Sequence, residues 1–181
     1  MKPIKIHTPF DDAAVTALKA GQQVLLSGIV YTARDAAHKR LCNLIANGQS
    51  LPLDLNGAAL YFVGPSPAKP GYVIGSAGPT TSYRMDAYSP ILIEQTGLKA
   101  MIGKGDRSPE VQNAMQKHRC IYFAATGGAA ALISKSIVKC EVLCYDDLGP
   151  EAIHRLEVKD LPLLVAIDCH GHNLYHPEKS N

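Results

Sequence analysis

The sequence predicts an α/β domain with a partly parallel sheet flanked by helices. Three observations carry this reading. Short runs rich in Val, Ile, Leu and Tyr alternate with segments whose apolar residues recur at helical spacing. The junctions hold Gly, Pro, Asp and Ser where helices start or stop. A chain of 181 residues with 46% hydrophobic content is large enough for a single domain, spanning 1–181, with its own core.

Taken in order, Thr8-Pro9 followed by Phe10, Asp11 and Asp12 supplies a cap, a proline for the first helical position and early acids. This predicts a helix to about Lys19, ended by Gly21. Gln23 to Thr32 is aliphatic, β-branched and aromatic, hence a strand. Ala37, Leu41, Leu44 and Ile45 set a helix from about Asp35 to Asn47 with Gly48 as its stop, so Arg34 falls at a strand-to-helix junction. Gly57 to Pro79 is rich in turn formers and reads as internal loops around two short strands, Ala58 to Val63 and Tyr72 to Ile74. A helix is expected from Asp86 to Gly97 with Pro90 in its first turn, then a strand from Lys99 to Ile102 leading into Gly103-Lys104-Gly105. Ser108-Pro109-Glu110 opens another helix, and Ile121 to Ala124 forms the next strand. Gly128 opens a small-residue helix to about Ser134, and Val138 to Tyr145, Ala152 to Val158 and Leu163 to Ile167 read as three strands.

The charge balance excludes some function classes. With 18 basic and 16 acidic residues the formal charge is +2, which gives no basic face for nucleic acid. The N-terminal stretch lacks an apolar secretory core, and no segment reaches the roughly 18 apolar residues needed to cross a bilayer. The chain therefore reads as cytosolic. Its five cysteines, Cys42, Cys120, Cys140, Cys144 and Cys169, are odd in number and widely spaced, which argues against a disulfide framework. Cys140 and Cys144 lie in an alternating apolar stretch and are expected on one face of a strand, as packing residues before metal ligands. No closely spaced thiolate set of the kind that holds an iron-sulfur cluster is present.

The residues that point to chemistry are cations held among turn formers and hydroxyls. Gly78-Pro79-Thr80-Thr81-Ser82-Tyr83-Arg84-Met85-Asp86 has the composition of an anion-binding loop. Arg34, in Arg34-Asp35-Ala36-Ala37-His38, and Lys104, between two glycines, are comparable. A guanidinium offers a planar fork that takes a carboxylate through two parallel hydrogen bonds, so Arg34 and Arg84 suit the two ends of a small dicarboxylate. His38 has an ordinary pKa near neutrality and sits on the Arg34 side of its helix by i+4 spacing, which makes it a candidate acid or base. Each has a plainer reading: Arg34 as a solvated residue, Asp35 as a helix cap, Lys104 in an exposed turn, Thr80 bonded within its own turn. Thr126-Gly127-Gly128-Ala129-Ala130-Ala131 suits either a phosphate at a helix start or close helix packing. Cys169, His170, His172 and His176 suit either a metal or backbone contacts.

Together with Asp54-Leu55-Asn56-Gly57 and Asp168-Cys169-His170-Gly171-His172-Asn173-Leu174, these motifs resemble, in their order, the iron-sulfur-dependent class I fumarate hydratases and L-tartrate dehydratases. The resemblance is to their β subunit or C-terminal domain, and runs from about Gly28 to about Tyr175. It implies a swivelling β/β/α domain and a hydro-lyase that adds water reversibly to fumarate to give (S)-malate. It also implies a [4Fe-4S] cluster whose cysteine ligands lie in a partner α subunit, with none bound by this chain, and an assembly built as a dimer of α-β pairs. Arg34, Thr80, Thr81, Arg84 and Lys104 would bind substrate, and Thr80 or His38 would move the proton. Tyr83 stands where the fumarase pattern commonly has glycine, which keeps an L-tartrate dehydratase β subunit open; Asp86 with Ala87-Tyr88-Ser89-Pro90 is more fumarase-like. Outside this family, a regulatory anion-binding module and a self-contained metal hydro-lyase using the C-terminal histidines remain alternatives.

Overall fold

A computed structural model of the chain describes residues 2–125 and 130–177. Its elements are β1 (Ile4–His7), α1 (Asp12–Ala17), β2 (Gln23–Thr32), α2 (Asp35–Ala46), β3 (Ala59–Tyr61), α3 (Ser89–Thr96) and β4 (Ala100–Gly103). These are followed by α4 (Pro109–His118), β5 (Ile121–Ala124), α5 (Ala130–Ser136), β6 (Ile137–Cys144) and β7 (Ile153–Ile167), with 3-10 segments at Ser82–Met85 and Asp146–Glu151. The sheet order is β1-β2-β3-β4-β5-β7-β6, and β2 also pairs with β7. The strands β2, β3, β4, β5 and β7 thus close on themselves into a small barrel. Pairings from β1 through β5 are parallel, and β7 runs antiparallel to β2, β5 and β6.

Side chains alternate across a strand, so a closed sheet has two apolar faces to cover. Ala59, Tyr61, Ala100, Ile102, Ile121 and Phe123 belong to one core cluster with Val24, Leu26, Val30, Leu156 and Val165, contributed by all five closing strands. This is the barrel interior. Their neighbours Leu60, Met101 and Tyr122 join a second cluster with Ala37 and Leu41 of α2, Leu92 and Ile93 of α3, and Val111 and Met115 of α4. Those helices pack outside, because a five-stranded barrel has room only for side chains.

Several local expectations change. The first helix is capped at Asp11, three residues later than the expected Thr8, because the Asp11 carboxylate accepts from the Ala14 N–H at 2.7 Å. The edge strand β1 ahead of it has only four residues, mostly exposed, and takes its conformation from pairing with β2. Tyr72 to Ile74 is irregular, with Tyr72 and Val73 in solvent. The two strands expected at 152–158 and 163–167 are one continuous β7: Asp160 takes a left-handed φ of 49° and its N–H donates to Ser27 Oγ, so the chain bulges and keeps its pairing with β2. Cys140 and Cys144 do not share a face. A register shift between Val142 and Cys144 turns the strand, so Cys140 packs on the barrel-interior cluster and Cys144 on the outer one. No helix among the described residues is long and apolar enough to cross a membrane.

Candidate functional site

Parallel strands bring their C-terminal ends to one rim, where an open sheet or barrel collects its functional loops. Arg34 follows β2 by two residues, Gly64 follows β3 by three, and Lys104 follows β4 directly. The loop carrying Thr80 to Arg84 lies across these ends. The Thr80 N–H donates to the Phe62 carbonyl at 2.7 Å, Thr81 pairs with Lys104 in an isolated parallel bridge, and the Ser82 N–H donates to the Lys104 carbonyl at 2.9 Å. A chain of hydrogen bonds fixes the crossing: the Lys104 N–H donates to Ser82 Oγ at 3.0 Å, Ser82 bonds Tyr122 Oη at 2.9 Å, and Tyr122 donates to the Gly105 carbonyl at 2.8 Å. Only glycine fits at 103, because a Cβ there would collide with Ser82 Oγ. Burial pushes the Tyr122 phenol up, so it stays a neutral donor.

Asp35 joins the two arginines. Its Oδ1 accepts from Arg84 Nε at 3.1 Å, its Oδ2 lies 3.0 Å from Arg84 Nη2, and Arg34 Nε stands 4.0 Å from the same Oδ2. Arg34 Nε is buried with no hydrogen-bond partner among the atoms described, while the Arg34 side chain keeps 26% exposure and that of Arg84 43%. The Arg34 shaft packs over Gly64, where a Cβ would sit 3.0 Å from Arg34 Cδ. Lys104 is exposed, and Thr80 and Thr81 are half-buried. Arg34, Thr80, Thr81, Arg84 and Lys104 are therefore placed on neighbouring loops of one rim.

His38 occupies a different position from the others. It is fully buried, edge-on to Phe62 at 5.2 Å, with Nδ1 2.7 Å from the Arg34 carbonyl and Nε2 without a partner. That carbonyl can only accept, so Nδ1 carries the proton and donates. Burial lowers its pKa to about 4, against the pull of the Arg34 carbonyl, so the ring is neutral at ordinary pH.

Sequence reasoning missed Arg107. Its side chain is completely buried; Nε donates to Asp86 Oδ1 at 2.7 Å, Nη2 to Ser89 Oγ at 2.6 Å, and the guanidinium lies 5.1 Å from the centroids of both Phe62 and Tyr122. The second carboxylate oxygen of Asp86 accepts from the Ser108 N–H at 2.7 Å. This pair ties the Thr80–Asp86 loop to the segment after Lys104. The signal was a second cation in Gly103-Lys104-Gly105-Asp106-Arg107, overlooked because sequence spacing does not report burial.

The C-terminal histidines are not gathered on a common point. His172 bonds Asp168 at 3.0 Å, His170 Nε2 bonds the Thr16 carbonyl at 2.9 Å, and His176 bonds Asp106 at 2.6 Å. Burial raises the Asp168 carboxyl, but N–H donors from Ala20, His172 and His170 outweigh it and hold the pKa below the usual range, which fits a carboxylate that organises the loop. Among the described residues no group of three or more His, Cys, Asp or Glu side chains could hold a metal ion. Burial also pushes the thiols up, Cys42 to about 11 and Cys120 to about 12. Thr126 to Ala129 of the small-residue motif lie outside the described residues. Three clefts of about 310, 330 and 500 Å³ lie between other loops, and none of the three is lined by Arg34, Thr80, Arg84 or Lys104. The cation cluster is a surface rim.

Comparison with known proteins sets this rim in context. The chain is 40% identical over 166 residues to a putative L(+)-tartrate dehydratase subunit beta of Methanocaldococcus jannaschii, covering 89% of this chain and 85% of that one. It is 36% identical over 183 residues to the L(+)-tartrate dehydratase subunit beta of Escherichia coli K12, covering 99% and 89%. Fumarate hydratase 2 of Leishmania major is 36% identical over 156 residues, covering 86% of this chain but only 28% of that one, so the chain spans a little over a quarter of that relative's length. A family model described as Fumarase C-terminus matches residues 1–178, and this chain belongs to that family.

Proposed function

We propose that this chain is the β-type half of a hydro-lyase, acting as a docking domain of the swivelling type that presents a carboxylate clamp to a cluster-bearing α subunit in a cytosolic dimer of α-β pairs. The reaction is the reversible hydration of fumarate to (S)-malate. The observation that carries this reading is the gathering of Arg34, Arg84 and Lys104, with Thr80 and Thr81, on one rim of a chain that belongs to the family. Two guanidinium forks orient a C4 diacid. A lysine ammonium beside one carboxylate stabilises the charge that builds there as the adjacent carbon loses its proton. The half-buried Thr80 is favoured as the proton-transfer group. His38, buried and with a pKa near 4, is better suited to hold the Arg34 backbone through its Nδ1 donor.

The cysteines of this chain do not fit a [4Fe-4S] cluster, being scattered, protonated and without a shared focus among the described residues. The cluster in this reading belongs to the α subunit, and the departure of hydroxide is left to that half. An L-tartrate dehydratase β subunit is the second reading. It is favoured by the near full-length match to two tartrate dehydratase β subunits, set against a 27% to 30% share of the fumarate hydratases. Tyr83, 67% exposed in the clamp loop, adds bulk where the choice between the diacids would be made.

Anaerobic co-purification with a cysteine-bearing partner, followed by assays with fumarate, malate and both tartrates, tests the reading. Arg84→Ala should lower turnover of the preferred diacid by several orders of magnitude with the assembly intact. Unchanged turnover would instead mark the chain as a regulatory module. Full activity of the isolated chain would overturn the two-subunit reading.

A further inference from the structure

We infer that Asp35 is a specificity-determining and positioning residue of the clamp, built into the site as a resident counter-charge that matches it to a dianion. The inference rests on the proposed diacid chemistry and goes beyond it, because that chemistry requires only the cations. Arg34, Arg84 and Lys104 carry three positive charges, one more than a dicarboxylate can neutralise. The structure supplies one negative charge between two of them: Asp35 bonds Arg84 Nε at 3.1 Å, lies 3.0 Å from Arg84 Nη2 and 4.0 Å from Arg34 Nε. The other acid at this helix start, Glu151, is directed to the Ala36 N–H at 3.4 Å.

Asp35 has two physical effects. Two guanidinium groups facing one ligand repel each other, and a carboxylate between them offsets that repulsion and, through its short contacts to Arg84, holds that fork beside Arg34. The fork of Arg84 is then held on its Nε and Nη2 edge, and its remaining N–H groups stay available to a ligand. The carboxylate also takes up the charge of one of the three cations, so a ligand bearing a third negative charge gains no matching cation. Asp35 is the first residue of α2, and a backbone at a helix start is a rigid mount for such a charge.

The test uses the reconstituted two-subunit enzyme with Asp35→Asn and Asp35→Glu. Competitive inhibition is measured with succinate and with 3-phosphonopropionate, which keeps the succinate skeleton and carries an additional negative charge at alkaline pH. In Asp35→Asn, kcat/KM for the diacid should fall on the order of 10²-fold as the forks lose their spacing. Inhibition by the phosphonate relative to succinate should strengthen by on the order of tenfold, as expected for one uncompensated charge at this range in a partly solvated site. Asp35→Glu, which keeps the charge and moves it, should lower kcat while leaving the inhibitor ratio as in wild type. A loss of helix-start stability alone would leave that ratio unmoved in both variants. An unchanged ratio in Asp35→Asn, in an assembly whose wild type turns over the diacid, overturns the inference. Absence of diacid turnover in the wild type overturns the proposed function instead.

Discussion

Replacing Arg107 by Met tests how the rim is held in place. The side chain is fully buried and its partner Asp86 is 14% exposed, so the variant leaves a nearly buried carboxylate with one remaining donor, the Ser108 N–H. It also removes the donor to Ser89 and the cation packed against Phe62 and Tyr122. Breaking a buried ion pair by deleting one partner costs about 3–5 kcal/mol, because the surviving charge is uncompensated. Against a usual total of about 5–15 kcal/mol, that is a large share of the stability. Urea denaturation of the isolated chain measures it, with Asp86→Asn and the double variant completing a cycle. Neutralising Asp86 in the Arg107→Met background should restore part of the loss, giving a coupling of about 2 kcal/mol. Arg107→Lys should rescue poorly, since an ammonium cannot reach Asp86 and Ser89 with one planar group. The reasoning fails if Arg107→Met costs under about 1 kcal/mol, or if the double variant costs the sum of the singles.

Gly103→Ala should destabilise the chain by about 1–3 kcal/mol, since the new Cβ meets Ser82 Oγ and the Phe62 ring, and Ser82→Ala in the same chain should return part of it; denaturation midpoints of the three variants decide. His38 gives a pH dependence with a defined sign. Its folded pKa of about 4 lies below the ordinary 6.5, so the unfolded chain takes up a proton first, and stability present above pH 6.5 is lost as pH falls through about 4. The loss amounts to about 3 kcal/mol, with a further contribution of the same sign from His154, whose pKa burial lowers. Urea midpoints across that window should flatten in His38→Asn, which keeps a donor for the Arg34 carbonyl; an unaltered slope would assign the titration elsewhere.

Where the sequence was informative, the chemistry was local. β2 and β5 occupy the spans read from their apolar runs, and α4 starts at the Ser108-Pro109 cap, because propensity and capping are short-range properties. β1 was missed because its four residues, mostly exposed, are made a strand by a partner twenty positions away. The break expected between Val158 and Leu163 is a bulge, since Ser27 supplies the hydrogen bond that lets β7 continue. The site divides along the same line. Arg34, Thr80, Arg84 and Lys104 stood out as cations and hydroxyls among turn formers, whereas Asp35 looked like a cap because its partner Arg84 is 49 positions away. Arg107 drew no reading from the sequence for the same reason: its partners Asp86, Phe62 and Tyr122 come from three separate segments.

The exposure of the clamp bears on why such a domain would need a second half. A guanidinium-carboxylate pair in open solvent contributes about 0–1 kcal/mol, because water screens it and competes for the same donors. With Arg84 at 43% side-chain exposure and Lys104 exposed, the rim alone can orient a diacid only weakly. The same groups become strong when water is excluded and the effective dielectric falls. In the proposed assembly the α subunit therefore does more than bring a cluster: by covering the rim it converts a weak surface clamp into a preorganised one. Tyr83, an aromatic ring 67% exposed at the centre of the clamp loop, is a natural point for that cover to rest on. The closed barrel beneath, with Gly103 admitting Ser82 and Arg107 anchoring Asp86, supplies the rigidity that a clamp completed from outside must already possess.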